Sequence, residues 1–290
     1  MQTIAITGAN RGIGHATARL LASQGHRVIL VCRDRSRGRD ALASLDPLPN
    51  NARHHLIVAD LSSLDSVREG AREILALDYP LAALVNNAAV LPAKRTLSRD
   101  GFEIQLAVTH LGHFLLTDLL MPLLERHEET SRVVTVSSGA HIGPPLDFED
   151  LNFEVRPYRR TRAYQQSKLA NVLFTLALAR RTADTNVEAV ALHPGVYDTG
   201  LLRDYMSAVP GSGAVASVFA GNAGKAAPIL AAIAAGRRDE KLSGAYLNKG
   251  IVDTPSRAAR EREAQERLWE WSKSAVGVAA DGTGRSAGEG

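Results

Sequence analysis

Short runs with apolar residues on both faces alternate along this chain with longer segments whose apolar residues recur every three or four positions. Thr3–Ile6, Arg27–Val31, His55–Ala59, Ala82–Val85, Arg132–Val136 and Val187–Leu192 are short and rich in Val, Ile, Leu and Ala. Apolar character with so little alternation predicts strands covered on both faces, as in a parallel sheet. Helical periodicity marks Ile13–Ser23, Ser36–Leu45, Ser63–Leu77, Gly101–Glu125 and Tyr164–Arg181. Asp60-Leu61-Ser62-Ser63 offers a start to the third of these, with Asp65 and Glu69 in its early turns. Strand–helix alternation with right-handed crossovers predicts an α/β fold: a single doubly wound Rossmann-type domain, its parallel sheet of about seven strands flanked by helices on both faces. Two stretches break the rhythm. Residues 141–163 contain Pro144, Pro145 and Pro157, and residues 196–224 contain Pro210 and Gly211-Ser212-Gly213. Irregular segments of this length in a compact domain, here spanning 1–276, are expected to be substrate loops. The glycine-rich stretch 277–290 is expected to be a flexible tail.

Composition adds little to that picture but removes some readings. A chain of 290 residues can bury a large core as one domain. A formal net charge of +3, with a pI near 9.1, is too weak a bias to argue for nucleic acid or a membrane surface. One cysteine, Cys32, leaves no internal disulfide and matches a reducing compartment. A first strand beginning near Gln2 leaves no room for a leader or anchor, and no apolar stretch reads as long and charge-free enough to span a bilayer. A cytoplasmic location is expected.

The chemistry begins after the first strand, in Thr7-Gly8-Ala9-Asn10-Arg11-Gly12-Ile13-Gly14. Gly8 permits a tight turn, Gly12 lets backbone approach a pyrophosphate, and Gly14 lets the helix pack close to the sheet. The helix N-terminus then offers amide hydrogens and partial positive charge to an anion. In this strand–turn–helix context the pattern predicts a dinucleotide site. The end of the second strand selects the nucleotide, because an acidic residue there binds a ribose diol. Here Cys32 and Arg33 stand in that place, and Arg33 suits a 2′-phosphate. Arg11 adds a second cation, so NADP(H) is expected over NAD(H). Asp60 ends the third strand, where it can bind an adenine amino group, cap the next helix, or both. Asn86-Asn87-Ala88-Ala89 ends the fourth strand; an Asn amide there can tie neighbouring strands together.

Tyr164 and Lys168 form Y-x-x-x-K about 150 residues further on, by direct count along the chain. An i,i+4 pair shares a helix face. Free tyrosine has a pKa of about 10, and lowering it to 7 requires roughly 4 kcal/mol. An ammonium about 4 Å away at an effective dielectric near 20 supplies about that much. Ser138 ends the fifth strand just upstream and can hold a substrate oxygen beside the tyrosine.

These residues together resemble the short-chain dehydrogenase/reductase family. The match is carried by Thr7–Gly14, Asp60-Leu61, Asn86–Ala88, Val136–Ser138, Tyr164–Lys168 and His193-Pro194-Gly195, in the family's order over residues 1–200. Cys32-Arg33-Asp34, His110–Thr117 and Gln166–Leu173 look like its retinol-dehydrogenase-like branch. That branch often carries an N-terminal membrane anchor, so this chain resembles its soluble relatives. The resemblance implies hydride exchange between NADP(H) and a carbonyl or alcohol. Tyr164 is then the acid/base, Ser138 orients the substrate oxygen, and Lys168 bonds the nicotinamide ribose. Implied cofactor contacts are Gly8, Asn10, Arg11, Gly12, Ile13, Gly14, Arg33, Asp60, Leu61, Asn87, Ala88, Tyr164, Lys168, Pro194, Gly195, Val196 and Thr199. One position departs from the pattern: Thr109 stands where the family has an asparagine that holds a proton-relaying water. The relay then runs through Thr109 or another group, or the chemistry is slow or non-redox. His110, His113 and His193 read as packing or hydrogen-bonded residues.

On the substrate side, Tyr197, Tyr205, Met206, Val209, Val218 and Phe219 suit an apolar lid, so the expected substrate is apolar. Trp269 and Trp271 lie two apart, hence on different faces of a helix. The Tyr164 helix is apolar nearly all round, so it is either fully covered or paired with another chain. Similar proteins commonly form homodimers through this helix and the one before the fifth strand. The rival readings are a non-redox enzyme (dehydration, isomerisation or cyclisation) and a catalytically weak NADP(H)-binding protein. The complete Ser138, Tyr164 and Lys168 set argues against the second.

Overall fold

The six apolar runs form strands within a residue or so of their sequence limits: β1 (Thr3–Thr7), β2 (Arg27–Cys32), β3 (His55–Val58), β4 (Ala83–Asn86), β5 (Ser131–Val136) and β6 (Val187–His193). The structure is a computed structural model that describes residues 1–195, 197–198, 221–236 and 241–277. A two-stranded parallel pair, β7 (Tyr197–Asp198) and β8 (Gly221–Asn222), stands apart from the main sheet. Two further strands, β9 (Tyr246–Asn248) and β10 (Ile251–Asp253), complete that sheet in the order β10-β9-β6-β5-β4-β1-β2-β3. Seven of its strands run parallel, and β10 folds back antiparallel on β9 as an edge. The expected sheet of about seven parallel strands therefore gains an eighth, antiparallel one. Strand order reverses between β1, which pairs with β2, and β4 on its other side. Ligand crevices in open α/β sheets lie at the carboxyl ends of strands at such a switch point.

Helices α1 (Gly12–Ser23) and α2 (Arg35–Ala43) cover one face of the sheet. The opposite face carries α3 (Leu64–Ala76), α4 (Ile104–Glu125) and α5 (Arg160–Arg181). Later in the chain, α6 (Ala227–Ala235) joins the α1 side and α7 (Arg262–Val276) the α5 side. Because both sheet faces are covered, every residue of β1, β4 and β5 is buried, which is why those runs do not alternate. One expectation needs correcting: α4 has the length and apolar composition to cross a membrane. Most of it is buried against α3, α5 and the sheet, so its apolarity belongs to the core.

Helix α5 starts four residues before Tyr164, so the last part of the expected loop 141–163 is helical. The rest of that loop is held around Asp150, whose carboxylate accepts from the backbone N–H of Glu154, Val155 and Arg156 and from Arg156 Nε. One face of α5 lies on β5 and β6 and another on α7. Arg180 and Arg181 both reach Glu266, at 2.7 and 2.6 Å, and their hydrogen bonds hold its carboxyl down at about 2. Trp269 packs edge-on to Phe114 and parallel to Phe174, while Trp271 meets Phe102 edge-on. Both tryptophans thus join the core. Val196, Thr199, the lid residues from Tyr205 to Phe219 and tail residues 278–290 lie outside the described residues, as does the Tyr197 side chain.

Candidate active site

The turn between β1 and α1 is shaped by close approach. Gly8 has φ +65, and a Cβ on Gly14 would fall 2.6 Å from Asn87 Nδ2 and 2.7 Å from the Gly8 oxygen. No side chain caps the N-terminus of α1, whose N-cap is Arg11. Beneath the turn, Thr7 Oγ1 accepts from the backbone N–H of Asn87 and Ala88, and Asn87 Nδ2 donates to the Thr7 oxygen at 2.8 Å. The strand tie expected of this Asn pair is made by Asn87. Its neighbour Asn86 reaches Thr117 instead.

At the end of β2, Cys32 is buried, and burial pushes its thiol up to about 11. Arg33 and Arg11 are exposed and make no ion pair among the described residues. Asp34 is turned toward α2, where its carboxylate accepts from the Arg37 N–H at 2.9 Å. Asp60, at the end of β3, binds the N–H and hydroxyl of Ser62. It does not cap α3; Ser63 does. Leu61 beside it is buried. Across the sheet, β6 is followed by buried Pro194, then Gly195, whose N–H donates to His193 Nδ1. Burial pulls His193 down to about 4.

The Y-x-x-x-K pair lies where α5 passes the end of β5. Lys168 is 2 % exposed, and its Nζ donates to the Val136 oxygen at 2.9 Å. The same Nζ lies 5.7 Å from the centre of the Tyr164 ring. Desolvation lowers the Lys168 pKa to about 7. In the serine pair, Ser137 is buried and donates its hydroxyl to the Lys168 oxygen, whereas Ser138 is partly exposed. Ser138 therefore presents the accessible hydroxyl, and Ser137 fastens β5 to α5. Asn171, one helical turn beyond Lys168, donates to the same Val136 oxygen at 3.1 Å.

Thr109 is fully buried in a π-helical turn, Ala107–Leu111, within α4. Its hydroxyl has no hydrogen-bond partner among the described residues. Its carbonyl accepts from His113 Nδ1, which leaves Nε2 of that ring to accept from the Thr7 hydroxyl at 2.8 Å. Burial holds His113 near 4 and His110, bonded to Ser272, near 3, so both rings are neutral.

The sequence profile described as short chain dehydrogenase matches residues 2–209. Retinol dehydrogenase 13 of Mus musculus is 40% identical over 284 residues, covering 96% of this chain and 84% of the mouse protein. Retinol dehydrogenase 12 of Homo sapiens is 40% identical over 277 residues, covering 96% and 87%. A crystal structure of an uncharacterized protein from Mycobacterium Paratuberculosis superposes with a TM-score of 0.74 at 33% identity, covering 96% of this chain and 94% of the other. The chain belongs to the short-chain dehydrogenase/reductase family. Its similarity to several retinol dehydrogenases places it in the retinol-dehydrogenase-like branch of that oxidoreductase family.

Within this family fold, the link from Thr7 to His113 was not legible in the sequence. Those two residues are 106 positions apart, and no local pattern joins them. Asn171 was given no role of its own, although a polar residue one turn after Lys168 on a greasy helix was a usable signal.

Proposed function

We propose that this protein is an NADP(H)-dependent oxidoreductase that interconverts a carbonyl and an alcohol on an apolar small molecule, with Tyr164 as the acid/base. The observation that carries this reading is the buried Lys168 ammonium set beneath the Tyr164 ring, with the accessible Ser138 hydroxyl at the adjoining strand end. The residues present fit the coenzyme: Gly14 lets the start of α1 pack directly against the Gly8 turn and Asn87, and the α1 N-terminus carries no side-chain cap. Gly8 to Gly14 would hold its pyrophosphate, Arg33 and Arg11 its 2′-phosphate, and Asp60 and Leu61 its adenine side. Asn87, Ala88, Pro194, Gly195, Val196 and Thr199 would surround the nicotinamide half. When bound, the coenzyme supplies or accepts the hydride.

The chain's own residues handle the oxygen and its proton. Ser138 donates to the substrate oxygen and orients it. Tyr164 gives the proton in reduction and takes it in oxidation. Lys168 favours the phenolate through its positive charge. Burial alone weakens that charge, and an anionic ligand in the adjacent cradle strengthens it again. Thr109 takes the relay position, since a buried hydroxyl without a partner among the described residues calls for a water. The retinol named for the two relatives supports an apolar substrate without identifying it. Cytoplasmic residence is part of the proposal and rests on the lone reduced cysteine. A homodimer stays within it as well, although α5 owes its apolar second face to α7.

The test follows NADPH absorbance across a panel of ketones and aldehydes. Turnover is expected, and Tyr164→Phe should lower kcat by roughly 10²- to 10⁴-fold with the NADPH dissociation constant little changed. Full activity of that variant would sink the proposal. Thr109 in place of the family's asparagine keeps one rival in play, chemistry without net redox change. That rival predicts substrate conversion at constant NADPH absorbance.

A further inference from the structure

We infer that His141 is the positioning residue of Ser138, a two-ended clamp that sets the catalytic serine by joining it to the C-terminal segment at Ser256. The inference rests on the carbonyl/alcohol chemistry proposed above. His141 follows Ser138 by three residues and closes a short 3-10 turn, Gly139–His141. The residue is 1% exposed. One ring nitrogen, Nδ1, lies 2.8 Å from the Ser138 oxygen. The other, Nε2, accepts from the Ser256 N–H at 3.0 Å.

These two partners fix the tautomer. A carbonyl can only accept, so Nδ1 carries the hydrogen; a backbone N–H can only donate, so Nε2 carries the lone pair. Only the neutral Nδ1–H ring satisfies both ends, and burial lowers the pKa of His141 in the same sense. The Ser138 oxygen also accepts from the His141 N–H at 3.0 Å. Two bonds to one carbonyl hold that peptide plane, and the plane sets where the Ser138 side chain leaves the backbone. At its far end the clamp holds Ser256, which caps the turn Arg257–Arg260 leading into α7. The ring also packs on Tyr246, with centres 4.8 Å apart.

Three substitutions separate the two ends from simple packing. His141→Asn keeps a donor near the Nδ1 position but cannot reach Ser256. His141→Gln places an acceptor near the Nε2 position but loses the bond to Ser138. His141→Phe keeps the ring against Tyr246 and loses both. For carbonyl reduction, kcat should fall about tenfold in the Gln and Phe variants and stay within about threefold in the Asn variant. The KM for NADPH should be unchanged in all three. Melting temperature should follow the other order, with Gln closest to wild type, because only Gln keeps an acceptor for the Ser256 N–H. Wild-type kcat in His141→Phe, or activity that tracks melting temperature across the series, would overturn the inference. Long-range ¹H–¹⁵N spectra of wild type should show the Nδ1–H form at neutral pH. An Nε2–H form or an imidazolium would overturn it too, and this reading needs no turnover. Wild type that converts no carbonyl or alcohol would defeat the proposed function instead, leaving the spectra and melting order to decide the clamp.

Discussion

At the scale of one residue, the proposed preference for NADP(H) turns on Arg33. It stands at the end of β2, beside a thiol that burial keeps protonated and an aspartate engaged in capping α2. With no carboxylate left over for a ribose diol, the Arg33 guanidinium would meet the ribose substituent of a bound coenzyme on the proposed reading. Charge-assisted bonds from arginine to phosphate are about twice as strong as neutral ones. Arg33→Asp should therefore raise the dissociation constant for NADPH by roughly tenfold or more. The same change should leave NADH binding unaltered or improve it, since the new carboxylate can accept from the free diol. Fluorescence titration with both coenzymes checks this. Equal weakening of both would mean that Arg33 supports the fold of the turn and reads no phosphate.

The pairing of α5 with α7 shows what a helix-scale reading of the sequence captures and what it lacks. The apolar circumference of α5 was plain in Leu169, Val172, Leu173, Phe174, Leu176 and Leu178. What covers its second face was not, because α7 lies about a hundred residues later and announces itself only through Trp269 and Trp271. Trp269 stacks on Phe174 at 6.0 Å, meets Phe114 at 4.9 Å and has the Arg181 guanidinium over its ring at 4.1 Å. Trp269→Ala should cost about 2 kcal/mol, less than a fully buried aromatic because the ring is only partly covered. It should leave kcat/KM within a few-fold, since Tyr164 lies near the opposite end of α5. Urea unfolding and steady-state kinetics on one preparation test both halves, and a large loss of kcat/KM would tie α7 to the chemistry. Other elements divide in the same way. Strands β1 to β6 were legible because each is a short run rich in Val, Ile, Leu and Ala. β9 and β10 were not, being three residues each, with every residue of β10 exposed. Ser138, Tyr164 and Lys168 were legible as spaced residue types. The π-helical turn around Thr109 and the Thr7–His113 bond were not, because they arise from tertiary packing.

The molecule as a whole buries several bases in neutral or weakened form, and that couples its stability to pH. Burial lowers His193 and His113 to about 4 and His110 to about 3, from an ordinary 6.5. Between those values and pH 6.5 the unfolded chain binds more protons than the folded one, so stability rises with pH. Lys168 extends the trend: its folded value is about 7 against an ordinary 10.5, so the unfolded chain holds the extra proton above pH 7. Cys32 acts oppositely, since its thiol ionises near 9.0 when unfolded and only about 11 when folded, and stability falls in that range. Unfolding free energy without coenzyme should therefore climb from about pH 4 to 6.5, climb again from 7 to 9, and then level or decline. The slope from Lys168 approaches 1.4 kcal/mol per pH unit at most, which urea titrations resolve. Lys168→Met should abolish the rise between pH 7 and 9 and keep the acid limb. Saturating NADPH should flatten the same window in wild type, because an anionic ligand beside the ammonium raises its pKa toward the unfolded value. A slope that survives Lys168→Met would assign the proton to another group. A slope lost in the variant yet indifferent to NADPH would mean that the coenzyme does not sense Lys168, and the proposed role of that lysine would fail with it.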